Sequence, residues 1–243
     1  MSSPARDVRD VTVHARQRLV WDVLVGALEA RGGPPAQVLD CGGGSGSFAV
    51  PLARVGAHVT VVDISVDALA TLHRRADEAG VADRIYPVQG DVEALSDAVA
   101  VAAFDLVLAH GILEAVDSVE AAFVSIAAAL RPGGLLSVLV TNPVASVLAR
   151  AFAGDLDAAF TELLALDSET VLGPDAVRRL CVTAGLEIER THGVGVFSEM
   201  IPGAALDRPG AGELLAQLEA ASATRAPFAD IATRVHTLAR RPD

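Results

Sequence analysis

The segment Val38-Leu39-Asp40-Cys41-Gly42-Gly43-Gly44-Ser45-Gly46 concentrates residue types from which a ligand site can be built. A run of strand type, Gln37 to Asp40, feeds into glycines at alternate positions, Gly42, Gly44 and Gly46, and a helix is predicted to start near Ser47. Side chains at those glycines would block close approach of a ligand to the backbone, and glycine reaches positive φ at little steric cost. The first turn of the following helix offers N–H groups that the helix itself does not use. Strand, glycine turn and helix in this order point to a nucleotide-type ligand; a plain strand-to-helix connection is the alternative. The dinucleotide fingerprint would place a glycine where Ser47 stands, so the match to that pattern is incomplete.

Further polar residues fall at the ends of other apolar runs. Asp63 ends the run that begins at Val59, where a carboxylate can accept hydrogen bonds from both ribose hydroxyls. A helix cap is the plainer role for it. Asp91 follows Ile85–Gln89 and could accept from an exocyclic adenine amine or cap the next helix. Leu69 or Val92 could wall an adenine ring, or pack in the core. His110 follows Phe104–Ala109; it could orient a substrate, act as a base near neutral pH, or only line a pocket. Glu114 lies one turn further on if a helix begins there. Cys41 is read as a small core residue and not a nucleophile, since no histidine partner is evident nearby. No spacing of histidine, cysteine and carboxylate suggests a metal site, and no metal is expected.

These residues need a scaffold that brings strand ends together. Strands Gln37–Asp40, Val59–Ile64, Ile85–Gln89, Phe104–Ala109 and Leu135–Val140 alternate with helical stretches, which implies a parallel, doubly wound sheet. Ligands bind such sheets beyond the carboxyl ends of the strands, where Asp40 to Gly46, Asp63, Asp91 and His110 all fall. Ahead of the sheet, a loose arm is expected to about Asp10, then a helix striped by Leu19, Val20, Val23, Leu24, Ala27 and Leu28. Pro143 to about Asp167 reads as helices outside the sheet, and Pro174 opens another. Leu186–Glu189 and Gly193–Phe197 read as strand with a kink, residues 202–212 as loop, and Val235–Ala239 as a last strand.

The 243 residues carry a net charge of −12 and are 51% hydrophobic. The acidic balance disfavours broad binding to nucleic acid or to an anionic membrane. Every basic residue is arginine. The longest apolar stretch, Leu135 to Ala153, is broken by Asn142, Pro143 and Arg150, so no membrane partner is expected. Arg6, Asp7, Arg9 and Asp10 lead into no signal-type apolar core, and Cys41 and Cys181 read as reduced; a cytoplasmic location is expected.

These motifs resemble class I S-adenosylmethionine (SAM) methyltransferases over almost the whole chain. Val38–Gly46 matches motif I, Val61-Val62-Asp63-Ile64-Ser65 the acidic loop, Gly90-Asp91-Val92 the adenine-contact loop and Phe104–Val116 motif IV. Leu130-Arg131-Pro132-Gly133-Gly134 matches the turn before strand five. The resemblance implies an α/β, Rossmann-like, doubly wound seven-stranded sheet, mostly parallel with one antiparallel edge strand, plus a helical insertion after strand five. It implies one methyltransferase domain over residues 1–243, with a lid helix at 11–31 and the insertion at 143–170 near the substrate. SAM is the implied cofactor, held by Asp40, Gly42, Gly44, Gly46, Asp63, Ile64, Asp91, Val92 and His110.

Ala15-Arg16-Gln17-Arg18-Leu19-Val20-Trp21, His110-Gly111-Ile112-Leu113-Glu114, Asn142, Gly193-Val194-Gly195-Val196-Phe197 and the ending Val235–Pro242 are similar to the bacterial tRNA 5-carboxymethoxyuridine methyltransferases. That family carries a tyrosine and an arginine after the equivalent of Phe197. This chain has Ser198-Glu199-Met200-Ile201-Pro202, and its insertion is acidic at Asp155, Asp157 and Glu162. The expected reaction is therefore methyl transfer to a small, anionic molecule, with His110 and Arg16 as the candidate catalytic residues and tRNA as the alternative acceptor. Arg16 could grip a carboxylate with two bonds, or be a solvated surface arginine. An NAD-dependent oxidoreductase shares the glycine turn and Asp63 but has no standing need for Asp91. A SAM-binding partner protein without catalysis is the rival from outside the enzymes.

Overall fold

The computed structural model describes residues 4–33, 35–168 and 170–243, with side chains from Arg18 onward. It consists of two compact units. The larger combines Leu28–Val140, Val177–Arg190 and Thr237–Asp243; the smaller combines residues up to Ala27 with Thr141–Ala176 and Thr191–His236.

The central strand is β1, Gln37–Cys41, with β2 (His58–Asp63) on one side and β4 (Phe104–His110) on the other. Strand β3 (Ile85–Gln89) lies outside β2, and β5 (Leu130–Thr141) outside β4. All four of these pairings are parallel. Strand β4 and the Leu135–Val140 half of β5 are near-continuous buried runs, because helices cover both faces of such a sheet there. The register puts Asp40 beside Val61 and Leu108, and Asp63 beside Gln89. The carboxyl ends of β1 to β4 therefore form one rim.

Beyond β5 the order continues with β7 (Arg234–Arg240) and then β6 (Glu187–Val194), which completes seven strands. Gly133 donates its N–H to the Arg241 carbonyl and Arg241 donates to the Gly134 carbonyl, both at 2.9 Å. That reciprocal exchange is antiparallel pairing, so β7 runs against β5. The expected mixed sheet, with its reversed strand at this end, is present.

The helices follow local signals. Ser65 caps α3 (Val66–Ala79) by accepting the Ala68 N–H at 3.2 Å, and Gly80 ends it in the left-handed conformation at φ 68°. Leu69, Leu72 and Ala76 form its buried side. Helix α2 (Ala49–Arg54) follows the glycine turn, and α4 (Val119–Ala129) buries Ala122, Phe123 and Ile126. At the opposite rim, buried Asp105 accepts from Arg31 at 2.7 Å, Arg131 at 2.8 Å and the Gln37 N–H at 2.7 Å. One carboxylate thus ties together the starts of β1, β4 and β5.

In the smaller unit, Asn142 caps α5 (Pro143–Phe152) through the Val144 N–H and donates to the carbonyls of Asp230 and Ala232. Helix α6 (Leu156–Ala165) follows. Helix α9 (Ala211–Ser222) carries buried Glu219, whose carboxylate accepts the backbone N–H groups of Val196, Phe197 and Ser198 at 2.8, 3.0 and 2.8 Å. Glu219 thereby fixes the loop that follows β6.

Several boundaries differ from the sequence expectation. Helix α1 spans Pro4–Arg31, so residues 4–10 are helical and not a loose arm. Strand β5 starts at Leu130, because the expected turn at Gly133-Gly134 is drawn into pairing with Arg241. A short helix α8, Gly203–Leu206, lies within the expected loop at 202–212. Helix α7 begins at Pro174 as expected and ends at Thr183.

Candidate active site

The carboxyl-end rim gathers the predicted site residues of the larger unit. From β1 the chain enters the glycine turn, and the Gly42 N–H donates to the Val62 carbonyl at 2.7 Å. The glycines of this turn serve different purposes. At Gly44, φ is +53° and an added Cβ would come no nearer than 3.7 Å to Asp63 Oδ2, so the protein itself leaves that position open. At Gly46, φ is +81° and a Cβ would stand 2.3 Å from Leu72 Cδ1, so this glycine admits close packing of α3. Gly43 was not singled out in the sequence. A Cβ there would fall 2.5 Å from Asp40 Cγ, so its hydrogen lets the turn fold over the buried carboxyl.

Asp63 ends β2 and organises the turn. Its Oδ2 accepts the Gly44 N–H at 2.9 Å, and its Oδ1 accepts the Ser65 N–H at 2.8 Å. A carboxylate has about four lone-pair sites, so capacity for two ribose hydroxyls remains. Ile64, next in sequence, is 74% exposed. Asp91 caps the short 3₁₀ segment Val92–Asp97 by accepting the Glu93 N–H at 2.9 Å, while Val92 is buried beneath it. The capping role and an outward-facing acceptor role are compatible, because one Asp91 oxygen suffices for the cap.

Asp40 is buried. Burial, with the nearby Asp63 charge adding to it, pushes its carboxyl up to about 7. Asp40 thus sits under the turn and not on its ligand side. The neighbouring Cys41 thiol is pushed well above its ordinary range by burial first and Asp40 second. That agrees with a core role, since the thiolate is the nucleophilic form. Burial likewise raises Cys181, to about 11.

His110 ends β4. Its Nε2 is 2.7 Å from the Ser137 hydroxyl of β5, and Phe48 meets its ring edge-on at 4.7 Å between centroids. Ser137 is completely buried, so the ring is anchored from within the sheet. Glu114 follows in a turn, closed by Ala115 N–H to the Ile112 carbonyl, and not in the helix that the sequence suggested. The side chain of Arg16 lies outside those described; Arg18, on the same helix, pairs with Glu213 of α9 at 2.6 Å.

Arg75 is a further residue at the turn that sequence reasoning missed. From α3 it donates to the Ser45 carbonyl at 2.8 Å and reaches the Ser45 hydroxyl at 3.2 Å. Nothing local in the sequence joins residues so far apart. The glycine run itself did show that Gly43 stands inside the turn.

Comparison with known proteins identifies this arrangement. Residues 38–134 match the family model described as "Methyltransferase domain". The tRNA 5-carboxymethoxyuridine methyltransferase of Escherichia coli K12 is 27% identical over 93% of this chain and 88% of its own length. The chain is a class I SAM-dependent methyltransferase. The ubiquinone biosynthesis O-methyltransferase of Rhizobium johnstonii is 32% identical to this methyltransferase over 65% of its chain and 62% of the relative. Among solved structures, the magnesium protoporphyrin IX methyltransferase of Synechocystis PCC 6803 with bound S-adenosylhomocysteine aligns with a TM-score of 0.61 at 16% identity, covering 99% of this chain and 88% of that one. That likeness concerns the fold. The cofactor of this methyltransferase is SAM, and the Asp63 carboxylate, the open side of Gly44 and exposed Ile64 suit it. Among the described residues no helix is long and apolar enough to cross a membrane, and no cluster of metal-ligating side chains occurs.

Proposed function

We propose that this methyltransferase acts on a small or medium-sized anionic acceptor. The observation that carries this reading is the pairing of its arginines. Arg18, Arg31, Arg74, Arg84, Arg131, Arg150 and Arg240 each lie within ion-pair distance of a carboxylate. Binding a folded nucleic acid draws most of its affinity from cations free to neutralise phosphates. Here seven of the nineteen arginines already have a carboxylate partner, in a chain of net charge −12.

In this reading Asp63 holds the ribose, Asp91 the adenine amine and Ile64 one face of the base, with buried Val92 supporting the Asp91 segment from the core. SAM supplies an activated methyl group. The residues of the chain align donor and acceptor and exclude water, which is where positioning catalysis gains its rate. A carboxylate acceptor needs no general base. His110, held through Nε2 by Ser137, then serves to shape and orient the site.

The similarity to the E. coli enzyme over 93% of the chain favours a second reading, carboxyl methylation of a modified wobble uridine in tRNA. Radiolabelled SAM offered with a panel of small carboxylates and phenols, and separately with tRNA bearing the modification, distinguishes the two. Label in a small molecule supports the first reading. Label in tRNA, with binding that weakens steeply as salt rises, replaces it with the second.

A further inference from the structure

The stretch that carries Asp91 is not held by a regular helix of its own. The 3₁₀ segment Val92–Asp97 is interrupted at Ala94, whose φ of −128° and ψ of 44° are not helical. Asp91 and Ala94 are exposed, with Glu93 half-buried between them. The position of Asp91 therefore depends on what anchors the stretch from outside. Glu93 supplies one anchor. Its Oε1 accepts the Asp117 N–H at 2.7 Å and the Ser118 N–H at 3.1 Å, at the entrance to α4. The helix leaves those donors unused, and its dipole favours a carboxylate there. Ser125 of α4 supplies a second anchor by accepting the Leu95 N–H at 2.9 Å.

These bonds form a relay. Asp91 Oδ1 accepts the Glu93 N–H at 2.9 Å, so the backbone of Glu93 orients the Asp91 carboxylate. The side chain of Glu93 in turn ties that backbone to the start of α4. We propose that Glu93 is a positioning residue for cofactor recognition, setting the Asp91 carboxylate where it receives the adenine amine. This rests on the role proposed for Asp91 above. Glu93 acts through Asp91 and not by its own contact with the base. Without the bridge the carboxylate takes several orientations, of which one suits the amine, and the loss falls on adenine selectivity. A residue that only capped α4 would affect stability and leave that selectivity intact.

The test is titration calorimetry with two ligands, S-adenosylhomocysteine and its analogue with hydrogen in place of the adenine amine. The wild type should bind the first about tenfold more tightly, the equivalent of one hydrogen bond to a charged acceptor. Asp91→Ala should erase this preference. Glu93→Ala should reduce it to about threefold or less. Glu93→Asp should do the same, because its carboxylate stops one methylene short of α4. Glu93→Gln should restore most of the preference, since its amide oxygen still accepts both N–H groups. Urea midpoints establish that each variant is folded, and Glu93→Asp decides the matter where Glu93→Ala is not. Full preference in the folded Glu93 variants, beside its loss in Asp91→Ala, overturns the role of Glu93 alone. Equal weakening of both ligands, with the preference intact, also overturns it and makes Glu93 a plain cap of α4. A preference that survives Asp91→Ala removes the reading of Asp91 itself, and the role of Glu93 with it.

Discussion

The Gly44 N–H donates to Asp63 Oδ2 at 2.9 Å, which joins the glycine turn after β1 to the acidic end of β2. The same carboxylate receives the Ser65 N–H through its other oxygen. Asp63 therefore shapes the turn and still offers lone pairs towards a ribose. Asp63→Ala should weaken binding of S-adenosylhomocysteine by about 2–4 kcal/mol, or roughly 30- to 1,000-fold, for two bonds to a charged acceptor. Asp63→Asn, which keeps one oxygen, should lose less. Titration calorimetry measures both, and wild-type affinity in folded Asp63→Ala would remove the ribose role.

Two glycines of one turn should fail in different ways. Gly46→Ala drives a methyl into Leu72 and places alanine at φ +81°, so it should destabilise the fold by about 2–4 kcal/mol through overpacking and backbone strain. Leu72→Ala in the same chain should relieve part of the overpacking. Gly44→Val is also strained at φ +53°, but its Cβ meets only Asp63 Oδ2 at 3.7 Å and the Gly42 carbonyl at 3.9 Å, so it overpacks nothing and its side chain projects into ligand space. It should abolish cofactor binding at a smaller cost in stability. Urea unfolding and calorimetry on the two variants test this, and equal loss of stability with equal loss of binding would refute the distinction.

The strands and their ends were legible because a parallel sheet buried on both faces demands continuous apolar runs, and β2 and β4 supply them at Val59–Val62 and Phe104–Ala109. Glycine and aspartate at the ends then marked the rim. The sequence could not show which side of the turn Asp40 occupies. Its spacing from Gly42 fits either a ligand contact or a buried support, and only packing under Gly43 distinguishes them. Gly133-Gly134 reads as a turn locally but is hydrogen-bonded to Arg241, a partner far along the chain. Glu219 and Arg75 were invisible for the same reason, since each acts on backbone atoms of a distant segment.

Buried Asp40 should give the stability of the protein a characteristic pH dependence. Its folded value of about 7 lies above the ordinary 3.8 of an unfolded chain. Between these values the folded state keeps a proton that the unfolded state has released. Stability from this group is therefore complete below about pH 4, falls as pH rises towards 7, and changes no further above that. Asp40→Asn cannot ionise and should flatten this part of the profile. The check is the urea midpoint of both proteins between about pH 5 and pH 8. Parallel profiles would show that Asp40 is ionised in the folded state throughout.

Arg75 should act on cofactor affinity without touching the cofactor site directly. Its guanidinium grips the carbonyl and hydroxyl of Ser45 from α3, opposite in role to Asp63, which holds Gly44. The turn is thus fixed from two sides, and loosening either makes the bound conformation one of several. Arg75→Ala should lower S-adenosylhomocysteine affinity by about tenfold, the equivalent of one charge-assisted hydrogen bond. Arg75→Lys should recover part of that, because an ammonium can still donate to the Ser45 carbonyl. Ser45→Ala removes only the longer of the two bonds and should cost less than Arg75→Ala. A purely structural arginine would lower the urea midpoint while leaving the affinity of the folded protein unchanged. Calorimetry on all three variants, with their midpoints beside it, separates these outcomes, and wild-type affinity in Arg75→Ala would leave Asp63 and the glycines as the sole determinants of the turn.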